Sequence, residues 1–222
     1  MVLGGKQAQA EPRAPITWKL MRQVLLPENV ALLLVNAVGG FVSYSFVSLY
    51  GSFLRVDQGF SLMNAAMIYS AFGFGQMIGG MPMGWVSDMV GRRRYLLCAI
   101  AVSTLAGSTI FALPPSIPLE ICVALVFGTA ANSIWCVSIA VMQDQVDHVA
   151  IPLATGTLAM FNYGPSSFSG YLVAAVAGSL GWATAGILLY GLPFLVVLFV
   201  AAYLVRGLTP AAPTLTEMEM HK

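Results

Sequence analysis

The residues best suited to do chemistry lie in one short stretch, where Gly84, Asp88, Gly91, Arg92, Arg93 and Arg94 follow in close order. An acid, a glycine able to take positive φ and three cations suit the making and breaking of charge contacts. Asp88 can pair with Arg92, or sit against the positive N-terminal end of a neighbouring helix. The arginines can reach anionic lipid or carboxylates at a membrane face. A second set is dispersed through apolar segments: Asn36, Tyr44, Gln76, Asn132, Trp135, Asn162 and Tyr163. Bond-making chemistry is not expected. No apolar segment carries a His/Asp/Glu pair at ligand spacing or a Ser–His arrangement, so no catalytic residue, metal or cofactor is predicted.

Those residues are embedded in a chain that is 58% hydrophobic and only 9% charged. Soluble domains carry roughly 25% charged residues, so the bilayer is the expected solvent. The net charge is +1 and no basic tract is present, so nucleic acid is not an expected partner. Cys98, Cys122 and Cys136 show no ligand spacing and read as small core residues. The start of the chain lacks the apolar core of a signal peptide, so nothing cleavable is expected there.

Six apolar segments are each long enough to cross roughly 30 Å of hydrocarbon at about 1.5 Å per residue. They fall near 29–54, 62–86, 95–113, 119–142, 153–180 and 184–205. Pro27-Glu28-Asn29 marks the first start. Arg55 to Gly59, Ser87 to Arg94, Pro114 to Pro118, Gln143 to Pro152, and Gly181-Trp182 mark the breaks. Before them, Ile16 to Leu26 reads either as a short amphipathic helix in the headgroup region, with Trp18, Met21 and Leu25 on one face, or as the first turns of the next helix. The predicted organisation is a cytoplasmic segment over 1–27, a six-helix membrane domain over 28–206 and a disordered tail over 207–222.

Basic residues set the orientation. Six spans put Lys6, Arg13, Lys19, Arg22, Arg92, Arg93, Arg94, Arg206 and Lys222 on one side and only Arg55 on the other, which accounts for all 10 Lys and Arg. Both termini and the loop between the second and third helices are therefore expected to be cytoplasmic. The expected location is a plasma or bacterial inner membrane.

The loop resembles a family signature. Gly84, Asp88, Gly91, Arg92 and Arg93 match G-x-x-x-D-x-x-G-R-[RK] of the major facilitator superfamily, at the same place between second and third helices. Met89 departs from it, standing where a basic residue is usual. The resemblance implies an all-α integral membrane fold of this family's half-bundle type, with no enzymatic activity. It implies secondary transport of a small organic solute by alternating access, with the loop as a conformational latch. It also implies a partner: a second six-helix half, fused upstream, on a separate chain or in a homodimer. A truncated or non-transporting subunit that needs its partner half is the alternative.

Three features suggest the C-terminal half. These are the basic amphipathic stretch before the first helix, the lack of an arginine in the fourth, and the look of the last two helices. The strength of the loop signature points the other way. In this family the first, second, fourth and fifth helices of each half line the cavity. That makes substrate-cavity candidates of Asn36, Tyr44, Gln76, Asn132, Trp135, Asn162 and Tyr163. The same residue types also serve helix packing, as Gly75-x-x-x-Gly79 and Gly80-x-x-x-Gly84 would, and Gly164-Pro165 reads as a kink. No Asp, Glu, Lys, Arg or His lies near the middle of any predicted helix. If protons drive transport, the coupling residue is expected on the other half. Asp147 and His148 read as a solvated loop.

Overall fold

The computed structural model describes residues 18–206, with side chains through residue 202. Residues 1–17 and 207–222, which hold most of the predicted N-terminal segment and the whole predicted tail, lie outside the described residues. Among the described residues every regular element is a helix, joined by short turns and loops, and there is no strand.

A short helix α1 (Trp18–Val24) is followed by α2 (Pro27–Ser52), which passes into a π-helical segment, Phe53–Asp57. Then come α3 (Leu62–Gly79), α4 (Met81–Val90), α5 (Arg92–Thr109), α6 (Ile117–Gln143) and α7 (Ile151–Leu180). A last rod joins α8 (Trp182–Ala185), a π-helical segment Gly186–Gly191 and α9 (Leu192–Arg206). Among the described residues three stretches are long and apolar enough to cross a membrane by length and composition: Pro27–Asp57, Ile117–Gln143 and Trp182–Ala202. The remaining rods are more polar for visible reasons. α5 opens on three arginines, while α3 and α7 carry Gln76, Asn162 and several Ser, Thr and Gly.

Local chemistry sets the helix ends. Proline stands in the first turn of α2, α6 and α7, where its missing N–H costs nothing, and Glu28 adds negative charge to the first turn of α2. Ser61 caps α3 by accepting from the Asn64 N–H at 3.2 Å. The predicted second helix, 62–86, is not continuous. It breaks at Gly80 (φ −77°, ψ −113°), because Pro82 has no N–H to extend the ladder and its ring crowds the preceding turn. The helical stretch then runs on to Val90 rather than ending near Ser87. The next helix begins at Arg92 rather than near 95 and ends at Thr109 rather than near 113. Pro165, expected to mark a kink, lies inside α7 without interrupting it.

The rods alternate in direction. Side chains of residues 23, 92, 144 and 147 meet at one end, and those of 50, 53, 111, 120 and 182 at the other. The first is the arginine end, the second the aromatic end.

Two close helix pairs frame the interior. α3 lies against α6 so tightly that a methyl group at Gly75, Gly79 or Gly128 would collide with the facing carbonyl of Leu125, Thr129 or Phe72. α2 meets α7 in the same way, Gly40 resting on the Asn162 carbonyl. Gly84, by contrast, has nothing near the position its Cβ would take. At the aromatic end, Phe46 stacks on Tyr50 at 4.1 Å and meets Phe72 at 4.5 Å and Phe127 at 5.1 Å, while Phe53, Phe111, Trp182 and Tyr190 extend the cluster. Cys98 and Cys122 are exposed on the bundle's outer surface, not in its core, and Cys136 is half-buried. A thiol is apolar enough to suit a lipid-facing position as well as an interior one.

Candidate functional site

A cavity of about 260 Å³ opens between the two close pairs, lined by α2, α3, α6 and α7. All seven dispersed polar and aromatic residues meet there: Asn36 and Tyr44 from α2, Gln76 from α3, Asn132 and Trp135 from α6, Asn162 and Tyr163 from α7. Gly39, Ser43, Val47, Ala131 and Ile134 complete the wall. Val47, Ala131 and Ile134 had no sequence signal, since an apolar residue on an apolar helix looks the same facing a cavity or lipid.

The glycine contacts set this arrangement. With α3 close to α6, Asn132 Nδ2 reaches across to the Gln76 main-chain carbonyl at 2.8 Å. With α2 close to α7, Asn162 Nδ2 reaches the Asn36 main-chain carbonyl at 3.2 Å. Asn36 Nδ2 turns back on its own helix, donating to the Leu32 carbonyl at 2.8 Å. Three rings border the space edge to face or tilted: Tyr44 lies 5.7 Å from Tyr163, and Trp135 lies 6.3 Å from Tyr163. Tyr44 and Tyr163 are 41% and 51% exposed although they line the cavity, so the cavity is open to the surface of the bundle.

Other polar residues on these helices are used differently. Tyr69 donates to the Val47 carbonyl at 3.0 Å and faces a neighbouring groove with Ser48, Ser52 and Arg55. Ser166 and Ser169 donate to carbonyls of their own helix.

The second constellation is at the arginine end. Gly91 ends α4 and begins α5 with φ +95°, a conformation that a Cβ disfavours. The sharp turn brings Arg92 back on Asp88, Nε to Oδ1 at 2.7 Å, while Nη1 reaches Asp144 Oδ2 at 2.6 Å at the end of α6. Arg92 therefore bridges two carboxylates, and of the partners the sequence offered Asp88, the one seen is Arg92. The Asp88 hydrogen bond is the largest cause that raises the Arg92 guanidinium above its ordinary value; partial burial opposes it. All three side chains are partly solvent-exposed, so each pair contributes about 0.2–1 kcal/mol and can be exchanged for another contact. Arg93 forms no ion pair among the described residues and lies in a small crevice with Glu28 and Gln145.

Asp147 and His148 are exposed as expected, but Asp147 is also held. Gln23 Nε2 donates to its carboxylate at 2.6 Å, and its N–H donates to Gln23 Oε1 at 3.2 Å. This clamp ties α1, a helix separate from α2, to the loop after α6. Sequence reasoning missed it, and missed Asp144, because partners more than fifty residues apart leave no local pattern. It missed one more pair: Glu120 is fully buried and accepts from Tyr50 Oη at 2.6 Å. Among the described residues no group of His, Cys, Asp and Glu could hold a metal ion.

A family model described as Major Facilitator Superfamily matches residues 32–220 of the chain. No curated protein matches it.

Proposed function

Since the chain belongs to the Major Facilitator Superfamily, a family of transporters, we propose that it is one six-helix half of a secondary carrier that moves a small organic solute by alternating access. The observation that carries this reading is the cavity. Asn36, Gln76, Asn132 and Asn162 are costly at membrane depth unless they serve packing or a water-accessible site. Here they gather from four helices around one space whose rim aromatics remain half exposed. A second half, fused upstream, on a separate chain or in a homodimer, closes that space. The C-terminal position is the better fit for this half, with α1 as the end of the linker that joins the two.

In this reading the six rods cross the membrane, the arginine end is cytoplasmic by the positive-inside rule, and so are both termini. The membrane is a plasma or bacterial inner membrane. The turn around Gly91 is the latch. Gly84 offers an uncluttered surface, and Asp88 can trade Arg92 for a helix end of the other half. Arg93 supplies a further cation to lipid or to that half. Contacts of about 1 kcal/mol or less suit this role, because a latch must open on each cycle.

The full carrier, reconstituted in vesicles, should take up at least one member of a panel of labelled small solutes saturably. No saturable uptake of any member would remove the transport reading. Asp88→Asn should lower that uptake several-fold while the inserted amount stays the same. Unchanged uptake would remove the latch and leave the carrier.

A further inference from the structure

The aromatic end holds a titratable group that neither the cavity nor the charged turn uses. Among the described residues five buried side chains have a polar atom with no partner: Asn29, Asn36, Ser103, Glu120 and Ser138. Four of these are neutral by nature, and Glu120 alone is a carboxyl. It is 0% exposed. Its Oε2 accepts from Tyr50 Oη at 2.6 Å, while its Oε1 has no partner.

The surroundings offer a negative charge no support. Tyr50 stacks on Phe46 at 4.1 Å and on Phe53 at 6.1 Å, and meets Phe111 edge to face at 6.1 Å. The helices packed around α6 bring no countercharge. α3, α7 and the last rod through Ala202 hold no Asp, Glu, Lys, Arg or His. The charged residues of α2, α4 and α5, which are Glu28, Asp88 and Arg92 to Arg94, lie at the arginine end. Arg55 and Asp57, which follow α2 at the aromatic end, form no ion pair among the described residues, and Arg55 lines the groove between α2 and α3. The tyrosines nearby are engaged elsewhere, Tyr69 with the Val47 carbonyl and Tyr190 with Ser45. A carboxylate buried with one hydrogen bond and no cation is strongly disfavoured, and such a group keeps its proton instead. Oε2 already accepts from Tyr50, which leaves Oε1 for that proton.

Position gives the proton a structural consequence. Tyr50 belongs to α2, which is sealed to α7 at Gly40, and Glu120 belongs to α6, which is sealed to α3 at Gly75, Gly79 and Gly128. Their hydrogen bond therefore ties one close pair to the other, alongside the Phe46–Phe127 contact at 5.1 Å. Once ionised, Glu120 has to be hydrated, and hydration requires the two pairs to part at this end.

We propose that Glu120 is a proton-binding site. Its carboxyl carries a proton on Oε1 while the aromatic end is closed, and gives that proton to water as α2 and α6 part there. The O–H bond of the acid breaks, the proton passes to solvent and the hydrated carboxylate stays behind. The site is separate from the cavity and stands whether or not the chain moves a solute.

The test is infrared spectroscopy of the full carrier in detergent micelles near neutral pH, wild type against Glu120→Gln. The difference spectrum should contain the carbonyl stretch of a protonated carboxyl, present in the wild type and lost in the variant. Tyr50→Phe removes the hydroxyl donor, so it should keep that band and shift it to higher frequency. The same shift identifies the band should Glu120→Gln fail to fold. Raising the pH should then abolish the band and the near-ultraviolet circular dichroism of the packed rings together, while Glu120→Gln keeps its dichroism over the same range.

A carboxylate stretch in place of the protonated band would overturn the site, and so would a protonated band that Tyr50→Phe leaves unmoved. Loss of the band without the ring signal, or of the ring signal without the band, would overturn the link between the proton and the closed end.

Discussion

The two ends of the bundle are held by different physics. At the aromatic end, Phe46, Tyr50, Phe53, Phe111 and Tyr190 are almost wholly buried and meet ring to ring, with Trp182 half-buried beside them. At the arginine end, Asp88, Arg92 and Asp144 are joined by ion pairs whose members keep much of their solvent exposure. Ring contacts are short-ranged and numerous, and they do not exchange partners. Ion pairs at an exposed turn exchange partners at little cost. In the proposed carrier the aromatic end is therefore the anchor, and the arginine end the part that can switch. The cavity lies between them, on the two glycine-sealed helix pairs that neither end interrupts.

The largest expected effect comes from cutting the anchor. Phe46→Ala removes the ring that contacts Tyr50, Phe72 and Phe127, and about 3–5 kcal/mol of stability should go with it. Unfolding of the purified protein in detergent micelles, followed by denaturant titration, measures this. A loss below about 1 kcal/mol would break the comparison, because the aromatic end would then be no firmer than a surface ion pair.

Next comes the turn that presents the proposed latch. Gly91 has φ +95°, and a side chain there strains the backbone by about 1–3 kcal/mol. Gly91→Ala should lower stability by that amount in the same titration. It should also lower uptake by the full carrier more than this destabilisation explains, since Arg92 would no longer fall back on Asp88. Full uptake in the variant would detach the turn's shape from its function.

The two ends were unequally legible in the sequence. Gly91 and its neighbours could be read because a charge cluster stands out against an apolar background. The seven cavity residues could be read for the same reason: Asn, Gln and Tyr at one-turn spacings are rare enough in apolar helices to mark a face. The aromatic cluster could not. Phe46, Phe72 and Phe127 face the core, while Phe74 and Phe168 are more than half exposed, and all five sit in equally apolar runs. Lipid is as apolar as a protein core, so the pattern that separates inside from outside in a soluble helix is missing. The same lack of contrast put Cys98 and Cys122 in the core when they face outward. The break at Gly80 could have been found from Pro82, whose missing N–H is a local signal. The Glu120–Tyr50 and Gln23–Asp147 pairs join distant parts of the chain and could not.

The smallest effect sharpens the comparison most, because it isolates one contact at the switching end. In the Asp88–Arg92–Asp144 set, two negative charges share one positive, a net charge of −1. Asp144→Asn leaves Arg92 paired with Asp88 and brings the set to neutrality. The cost to stability should be about 0.2–1 kcal/mol and should vanish near 1 M salt, where screening acts within roughly 3 Å. Phe46→Ala should keep its full effect in the same salt, since ring packing is not screened. Arg92→Gln should cost more than Asp144→Asn, because it leaves two carboxylates near each other with no cation between them. If Asp144→Asn instead exceeds Arg92→Gln, Asp144 acts through something other than Arg92. The arginine end would then be held by contacts beyond this ion-paired set.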